Sequence, residues 1–265
     1  MSKDSSSRIE KIWTNPDEYY EKNIKWGPIW SISLTVLIYF LSQIITIFVL
    51  SVIFRLMHWN VQRSNDWLSN SVVGQFFTVL LVESLSIGTI YAFLKWKRSK
   101  FKYIGMVKIR FMDLVSALSG FLVYMVSFYL IAMLMSVFIK SFDINQQQNV
   151  GFQSVNGHFG LLLAFISLVV LPPLAEEIIF RGFLFSGLRT KMKFIYAALI
   201  TSLIFAMPHL IESKNGGILW IAGLDTFILS MVSSTLREKT RGLWSSILLH
   251  SFKNGVAFIG LFLIR

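Results

Sequence analysis

The chain has 265 residues, of which 54% are hydrophobic and only 15% are charged, and its mean hydropathy is +0.62. About a quarter of the residues of a soluble domain are charged, so this composition indicates a membrane protein. The sequence contains no cysteine, which excludes disulfides, thiolate metal sites and a cysteine nucleophile.

Long apolar runs in chain order predict seven membrane-spanning helices. Each run approaches or exceeds the roughly 18 to 20 residues that cross a hydrocarbon core as a helix, and the alternation of a β-barrel is absent. We therefore expect an all-α fold, a polytopic membrane helix bundle with about seven to eight transmembrane helices. The predicted spans are about 28–54, 72–94, 113–139, 159–175, 194–211, 217–236 and 243–264.

Lysine and arginine alternate between rich and poor segments along these spans. They gather before the first span and after the second, fourth and sixth spans, while the other segments carry one or two each. The positive-inside rule then places the N-terminus in the cytoplasm and the C-terminus outside. This topology explains the net charge of +11. A nucleic-acid partner is not expected, because the charge is spread over four segments instead of forming one patch.

We divide the chain into three parts. Residues 1–27 are a cytoplasmic N-terminal segment, and its stretch 9–26 mixes charged and aromatic side chains in the way that is typical of a membrane interface. Residues 28–157 carry the N-terminal transmembrane helices. Residues 158–265 carry most of the polar groups that are candidates for chemistry, and we expect them to form a catalytic membrane domain.

Ionisable side chains inside predicted spans are functional candidates, because a charge at mid-bilayer depth costs about 2.5–3.5 kcal/mol. Three of them, Glu83, Asp225 and Lys253, would allow the charge relay of a transporter, and ion pairing within the bundle is the simpler alternative. The complete set is Glu83, Glu176, Glu177, His209, Asp225, His250 and Lys253.

The stretch "EEIIFR" from residue 176 to residue 181 separates two adjacent acids. Glu177 and Arg181 are four residues apart and are predicted to pair on one helix face, from which Glu176 is rotated by about 100°. A glutamate that faces a desolvated interior outside that pair is a candidate general base. Pro172 and Pro173 predict a helix break, and the restarting helix would place its N-terminus beside both carboxylates. The alternative is a helix end at the cytoplasmic interface with a surface ion pair.

Two more motifs repeat this spacing of four residues. Phe205 and His209 share one predicted helix face, and His250 and Asn254 share another. Hydrogen bonding between helices would explain each motif by itself. Together with Glu176, they provide a base for a water molecule, polarising groups and an amide for a developing oxyanion, which are the requirements of peptide hydrolysis.

The motifs EExxxR, FxxxH and HxxxN stand in this order on successive predicted helices. In this order and spacing they resemble the CAAX protease and bacteriocin-processing family, also called the Abi family, which includes the type II CAAX prenyl endopeptidases. The resemblance covers roughly residues 158–258. It implies an intramembrane endopeptidase whose active site lies in a cavity open toward the cytoplasm.

The resemblance also implies roles for individual residues. Glu176 would activate the attacking water and His209 would assist it. His250 and Asn254 would stabilise the tetrahedral oxyanion. The supporting residues, which would hold the helix and shape the pocket, are Glu177, Arg181 and Phe205.

The same residues leave the cofactor question open. Glu176, His209 and His250 would also provide a zinc site with an open fourth position. We favour a mechanism without a cofactor, because a zinc-bound Glu176 would not serve as the base and no second carboxylate is evident for that role.

Other intramembrane proteases have signatures that this sequence lacks. It contains neither HExxH nor GxSG, and Asp225 is its only mid-span aspartate, where an aspartyl protease needs two. The HExxH type of zinc protease, the GxSG type of serine protease and the aspartyl type are therefore excluded.

The expected substrate is a membrane-associated peptide or a lipidated protein in contact with the lipid bilayer. Bacterial members of the family that the motifs resemble are associated with bacteriocin immunity and peptide maturation, and the richness in Lys, Ile, Phe and Asn favours a bacterial plasma membrane. The alternative function is a non-catalytic membrane scaffold that binds a partner membrane protein. The intact motifs favour the enzyme.

Overall fold

A computed structural model describes residues 16–139, 142–146, 148, 150–211 and 217–264. Nine helices account for most of these residues, which confirms the prediction of an all-α fold. The helices are α1 Pro16–Asn23, α2 Pro28–Leu56, α3 Val61–Asn70, α4 Val72–Trp96, α5 Phe111–Phe138, α6 Gly157–Leu188, α7 Phe194–Ala206, α8 Trp220–Thr240 and α9 Trp244–Phe262.

Within the described residues, five segments are long and apolar enough to cross a membrane. They are α2, α4, α5, α6 and α7 together with the turn that follows it to Ile211. The outer face of α2 exposes large apolar side chains such as Phe40, Ile44 and Phe48, as contact with lipid requires. The other two predicted spans are also helices, α8 and α9, which carry more polar residues. The chain is therefore an integral membrane protein built as a helix bundle.

Helix α6 differs most from its prediction. The fourth span was predicted to end at residue 175, but one continuous helix runs from Gly157 to Leu188, about 48 Å at 1.5 Å per residue. Two π-helical stretches, Ile166–Val170 and Ile178–Phe185, lie on either side of the α-helical segment Leu171–Glu177 that contains the prolines. Because π turns bond residue i to i+5, they shift the hydrogen-bond register and let the helix continue past the prolines.

This continuity overturns two expectations. The predicted break at Pro172 and Pro173 was wrong, so Glu176 and Glu177 lie inside a helix and not beside a helix N-terminus. A separate helix near residues 177–190, the alternative that would have made an eighth span, is also absent, since residues 177–188 belong to α6.

The loops predicted to be cytoplasmic meet at one end of the bundle. Arg189, directly after α6, contacts Glu238 of α8 at 2.7 Å and Asp17 of α1 at 2.6 Å. Burial opposes the charge on Arg189, yet its hydrogen bonds to these two carboxylates raise the pKa of the guanidinium. At the same end Arg110 donates to the carbonyl of Thr240. The grouping agrees with the charge alternation, and the side of the membrane that this end faces stays a prediction.

Two aromatic residues of the N-terminal segment, which was predicted to lie at the membrane interface, are buried in the protein core. Tyr20 and Trp26 are 1% and 4% exposed. Trp26 stacks on Phe183 of α6 with ring centroids 5.2 Å apart, and its indole N–H donates to the Phe183 carbonyl. Sequence could not show this docking, because it joins residues 157 positions apart. Residues 9–15 of the predicted interfacial stretch lie outside the described residues.

A close approach between α6 and α2 depends on Gly187. A Cβ atom at Gly187 would lie 1.8 Å from the Ser31 Oγ and 2.7 Å from the Trp26 ring. We expect Gly187→Ala to lower the free energy of unfolding by about 1–3 kcal/mol, as overpacking does. Gly88→Ala in α4 is the matched control, because its Cβ would meet no atom within 4 Å. Equal unfolding curves for the two variants in detergent would contradict this packing.

Candidate active site

The predicted pair on α6 is confirmed, and it is deeply buried. The Arg181 Nη1 lies 2.9 Å from the Glu177 Oε1, and both side chains are 0% exposed. This is an ion-pair distance, although the N–H of Nη1 does not point at the oxygen with hydrogen-bond geometry. The guanidinium also lies 4.6 Å from the centre of the Phe205 ring, a cation–π contact. The alternative of a surface ion pair is therefore wrong.

His250 of α9 joins the two glutamates of α6. Its Nδ1 lies 3.2 Å from the Glu177 Oε1, and its Nε2 lies 3.7 Å from the Glu176 Oε2. Because a carboxylate only accepts hydrogen bonds, the contact with Glu177 assigns the proton to Nδ1 and directs Nε2 toward Glu176. The spacing of four residues predicted only Arg181 as the partner of Glu177. The contact with His250 was not predictable in this way, because helix spacing says nothing about residues 73 positions apart.

His209 stands just beyond the end of α7. The predicted span 194–211 is confirmed as Phe194–Ile211, and within it the α-helix ends at Ala206 and Pro208–Ile211 form a 3-10 turn. The His209 Nδ1 lies 3.0 Å from the Phe205 carbonyl oxygen, which assigns its proton to Nδ1. The Phe205 ring lies 5.3 Å from the His209 ring and 5.9 Å from the His250 ring, so it packs against both imidazoles.

Asn254 has a partner that the motif did not reveal. Its amide Nδ2 donates to the Leu168 carbonyl oxygen at 2.9 Å. An α-helical bond to this carbonyl would come from residue 172 and a π-helical bond from residue 173, and both residues are prolines without an N–H. Asn254 therefore supplies the donor that α6 cannot supply, and the second N–H of the same amide is the one that a substrate could use.

Two cavities meet at the candidate base. The larger, about 380 Å³, is bounded by α2, α4, α6 and the end of α7. The smaller, about 170 Å³, is lined by His250 and Asn254 of α9 together with Leu168 of α6. Glu176 and His209 line both cavities. The side chain of Glu176 is 25% exposed, whereas Glu177 one residue later is fully buried. The structure thus places the four predicted catalytic residues on the walls of two cavities that share Glu176 and His209.

The remaining ionisable side chains of the predicted spans are Glu83, Asp225 and Lys253, and they lie outside the contacts that join Glu176, Glu177 and His250. The Lys253 Nζ lies 2.8 Å from the Asp225 Oδ2, and the hydroxyl of Tyr124 donates to the same carboxylate. Lys253, next to the motif residue Asn254, is thereby explained as the counter-ion of Asp225. Glu83 lines the larger cavity, away from this pair.

The described residues offer a limited fit for zinc. Among them, no three His, Asp or Glu side chains converge closely enough to hold a metal ion. Glu176, His209 and His250 as arranged therefore do not form the three-ligand set that the sequence allowed, and we derive no catalytic step through a metal.

Comparison with known proteins bears on the second half of the chain. Residues 158–256 match the family model "Type II CAAX prenyl endopeptidase Rce1-like". All three motifs lie within this match. Residues 158–256 are therefore similar to this family, and they are called the Rce1-like domain below.

The match to the family model covers residues 158–256, which are less than half of the chain. An Escherichia coli protein described as "Uncharacterized 24.3 kDa protein" is 33% identical over 92 residues, which cover 34% of this chain and 40% of that protein. The chain therefore aligns with less than half of this relative's length. No solved structure matches the chain.

Proposed function

We propose that this protein is an intramembrane endopeptidase that hydrolyses a peptide bond in a membrane-associated peptide or lipidated protein. One observation carries the proposal. Glu176 lines both cavities and faces Nε2 of His250, whose other ring nitrogen is held by Glu177. This combines an accessible acid with an oriented imidazole, and the Rce1-like domain supports the same chemistry.

The proposed reaction uses a water molecule held by Glu176 and His209. The water oxygen bonds to the substrate carbonyl carbon, while its proton passes to Glu176 and on to Nε2 of His250. The resulting imidazolium, stabilised by Glu177, and the second N–H of Asn254 donate hydrogen bonds to the oxyanion. The C–N bond then breaks, and the leaving amine takes the proton that the water gave up.

The two cavities suggest how a substrate would lie. The reacting bond would be at Glu176 and His209, where the cavities meet, with one side of the peptide in each cavity. Glu176 lies about 18 Å along α6 from the helix end at Leu188, at 1.5 Å per residue. The bond would therefore be cut within the membrane-spanning part of the bundle, which fits a peptide held by the bilayer.

We further propose a cellular location for the protein and a mechanism without a cofactor. We place the protein in a bacterial plasma membrane with its N-terminus in the cytoplasm, and its role in bacteriocin or peptide processing or in self-immunity. Hydrolysis is proposed to need no metal, because Glu176 itself acts as the base.

We expect purified full-length protein in lipid nanodiscs to cleave apolar peptides after exhaustive chelation. Cleavage is followed by mass spectrometry of the products, and metal content is measured by elemental analysis of the same sample. A zinc content well below one ion per chain, together with unchanged cleavage, is the expected result. Stoichiometric zinc whose removal abolishes cleavage and whose return restores it would replace this mechanism by the zinc alternative.

A further inference from the structure

The wall of the larger cavity that α2 and α4 form carries several polar side chains among apolar ones. Along one face of α2, the buried positions Thr35, Ser42 and Thr46 carry hydroxyl groups. Helix α4 adds Ser86 and the carboxyl group of Glu83. These residues lie outside the Rce1-like domain, so the motifs of that domain assign them no role.

Two hydroxyls in this wall are buried without an internal partner. Thr35 and Thr46 are each 1% exposed, and the Oγ1 atom of neither has a hydrogen-bond partner among the described residues. Buried polar groups in proteins are nearly always hydrogen-bonded. Both residues line the cavity, where a bound chain would bring peptide N–H and C=O groups next to them.

Glu83 differs from Glu177 and Asp225, which each contact a cationic side chain. Glu177 contacts Arg181 and Asp225 contacts Lys253, whereas Glu83 makes no ion pair and no hydrogen bond with any part of the chain that the structure describes. A carboxylate within a membrane span is unfavourable without a partner. The cavity in front of Glu83 is the space from which a partner would come, and it is the cavity that reaches Glu176.

We infer that the larger cavity, called the groove below, binds the substrate chain on one side of the reacting bond. We also infer that Glu83 pairs there with a basic side chain of the substrate. The inference rests on the proposed endopeptidase function and names its substrate class, an apolar peptide that carries a lysine or arginine. Gln43 and Ile47 of α2, at the rim of the groove, are exposed. The groove therefore reaches the outer surface of the bundle, where a membrane-bound chain would enter.

The test measures binding separately from hydrolysis. Full-length Glu176→Gln protein in nanodiscs is titrated with N-acetylated fluorescent apolar peptides that carry one lysine, moved stepwise along the chain. Each peptide is paired with one that carries norleucine at the same place. At one position we expect the lysine peptide to bind about tenfold more tightly, which is about 1.4 kcal/mol. Adding Glu83→Gln should bring the two affinities together, whereas Glu83→Asp should keep lysine preferred.

Other outcomes separate this inference from the proposed function. An equal affinity of lysine and norleucine peptides at every position, or a preference that survives Glu83→Gln, would overturn the role of Glu83. The exposed Glu18→Gln should leave the preference unchanged. If the preference depends on Glu83 but the protein with Glu176 intact cleaves none of the peptides, the endopeptidase proposal fails while the cation-binding groove stands.

Discussion

Glu176→Gln is expected to lower the rate of peptide hydrolysis by about 10²–10⁴-fold, the usual contribution of a general base. Glutamine keeps the size of the side chain and its place between the two cavities, but it does not take a proton from water. Because Glu176 is partly exposed to the cavities and Glu177 carries the buried ion pair, the substitution should leave the unfolding transition nearly unchanged. The measurement is single-turnover cleavage of a peptide by purified protein in nanodiscs.

The same variant separates the enzyme from a membrane scaffold. Glu18→Gln makes the identical chemical change on the exposed face of α1 and should retain full activity. A scaffold binds its partner through its surface, so it should tolerate Glu176→Gln in a cellular assay. If the variant and the wild type behaved alike both in that assay and in peptide cleavage, Glu176 would not be the base and the proposed mechanism would fail.

Arg181→Met is expected to lower the free energy of unfolding by about 3–5 kcal/mol, because it leaves the fully buried carboxylate of Glu177 without its counter-ion. The loss includes the cation–π contact of the guanidinium with Phe205. Unfolding in mixed micelles, followed by tryptophan fluorescence, measures the change. Arg55→Met, at the exposed end of α2, removes an arginine without a comparable effect.

A double variant tests whether the destabilisation arises from the isolated charge. Adding Glu177→Leu to Arg181→Met removes both charges, and replacing a buried ion pair by apolar groups is often nearly neutral. We expect the double variant to be more stable than Arg181→Met alone. It should nevertheless be inactive, because His250 loses the carboxylate that orients its Nδ1. A double variant as unstable as the sum of the two single variants would show that the two side chains do not act as a pair.

Local patterns were sufficient for several features of this protein. Runs of apolar residues predicted the helices, because the bilayer admits few other structures. The spacing of four residues predicted the Glu177–Arg181 pair, which depends only on the geometry of one helix. The same local reasoning failed at Pro172 and Pro173. Prolines end an isolated helix, but here π turns and a side chain from another helix compensate for the lost N–H groups.

The sequence by itself determined that the chain is a membrane helix bundle, which motifs it carries and which glutamate pairs with Arg181. Only the tertiary structure decided that His250 lies between Glu176 and Glu177, that Asn254 bonds the Leu168 carbonyl, and that Glu83 shares a cavity with Glu176. The physical reason is the separation along the chain between the residues that make each contact. Helix periodicity relates residues within a few turns, whereas these contacts join separate helices and depend on how the helices pack.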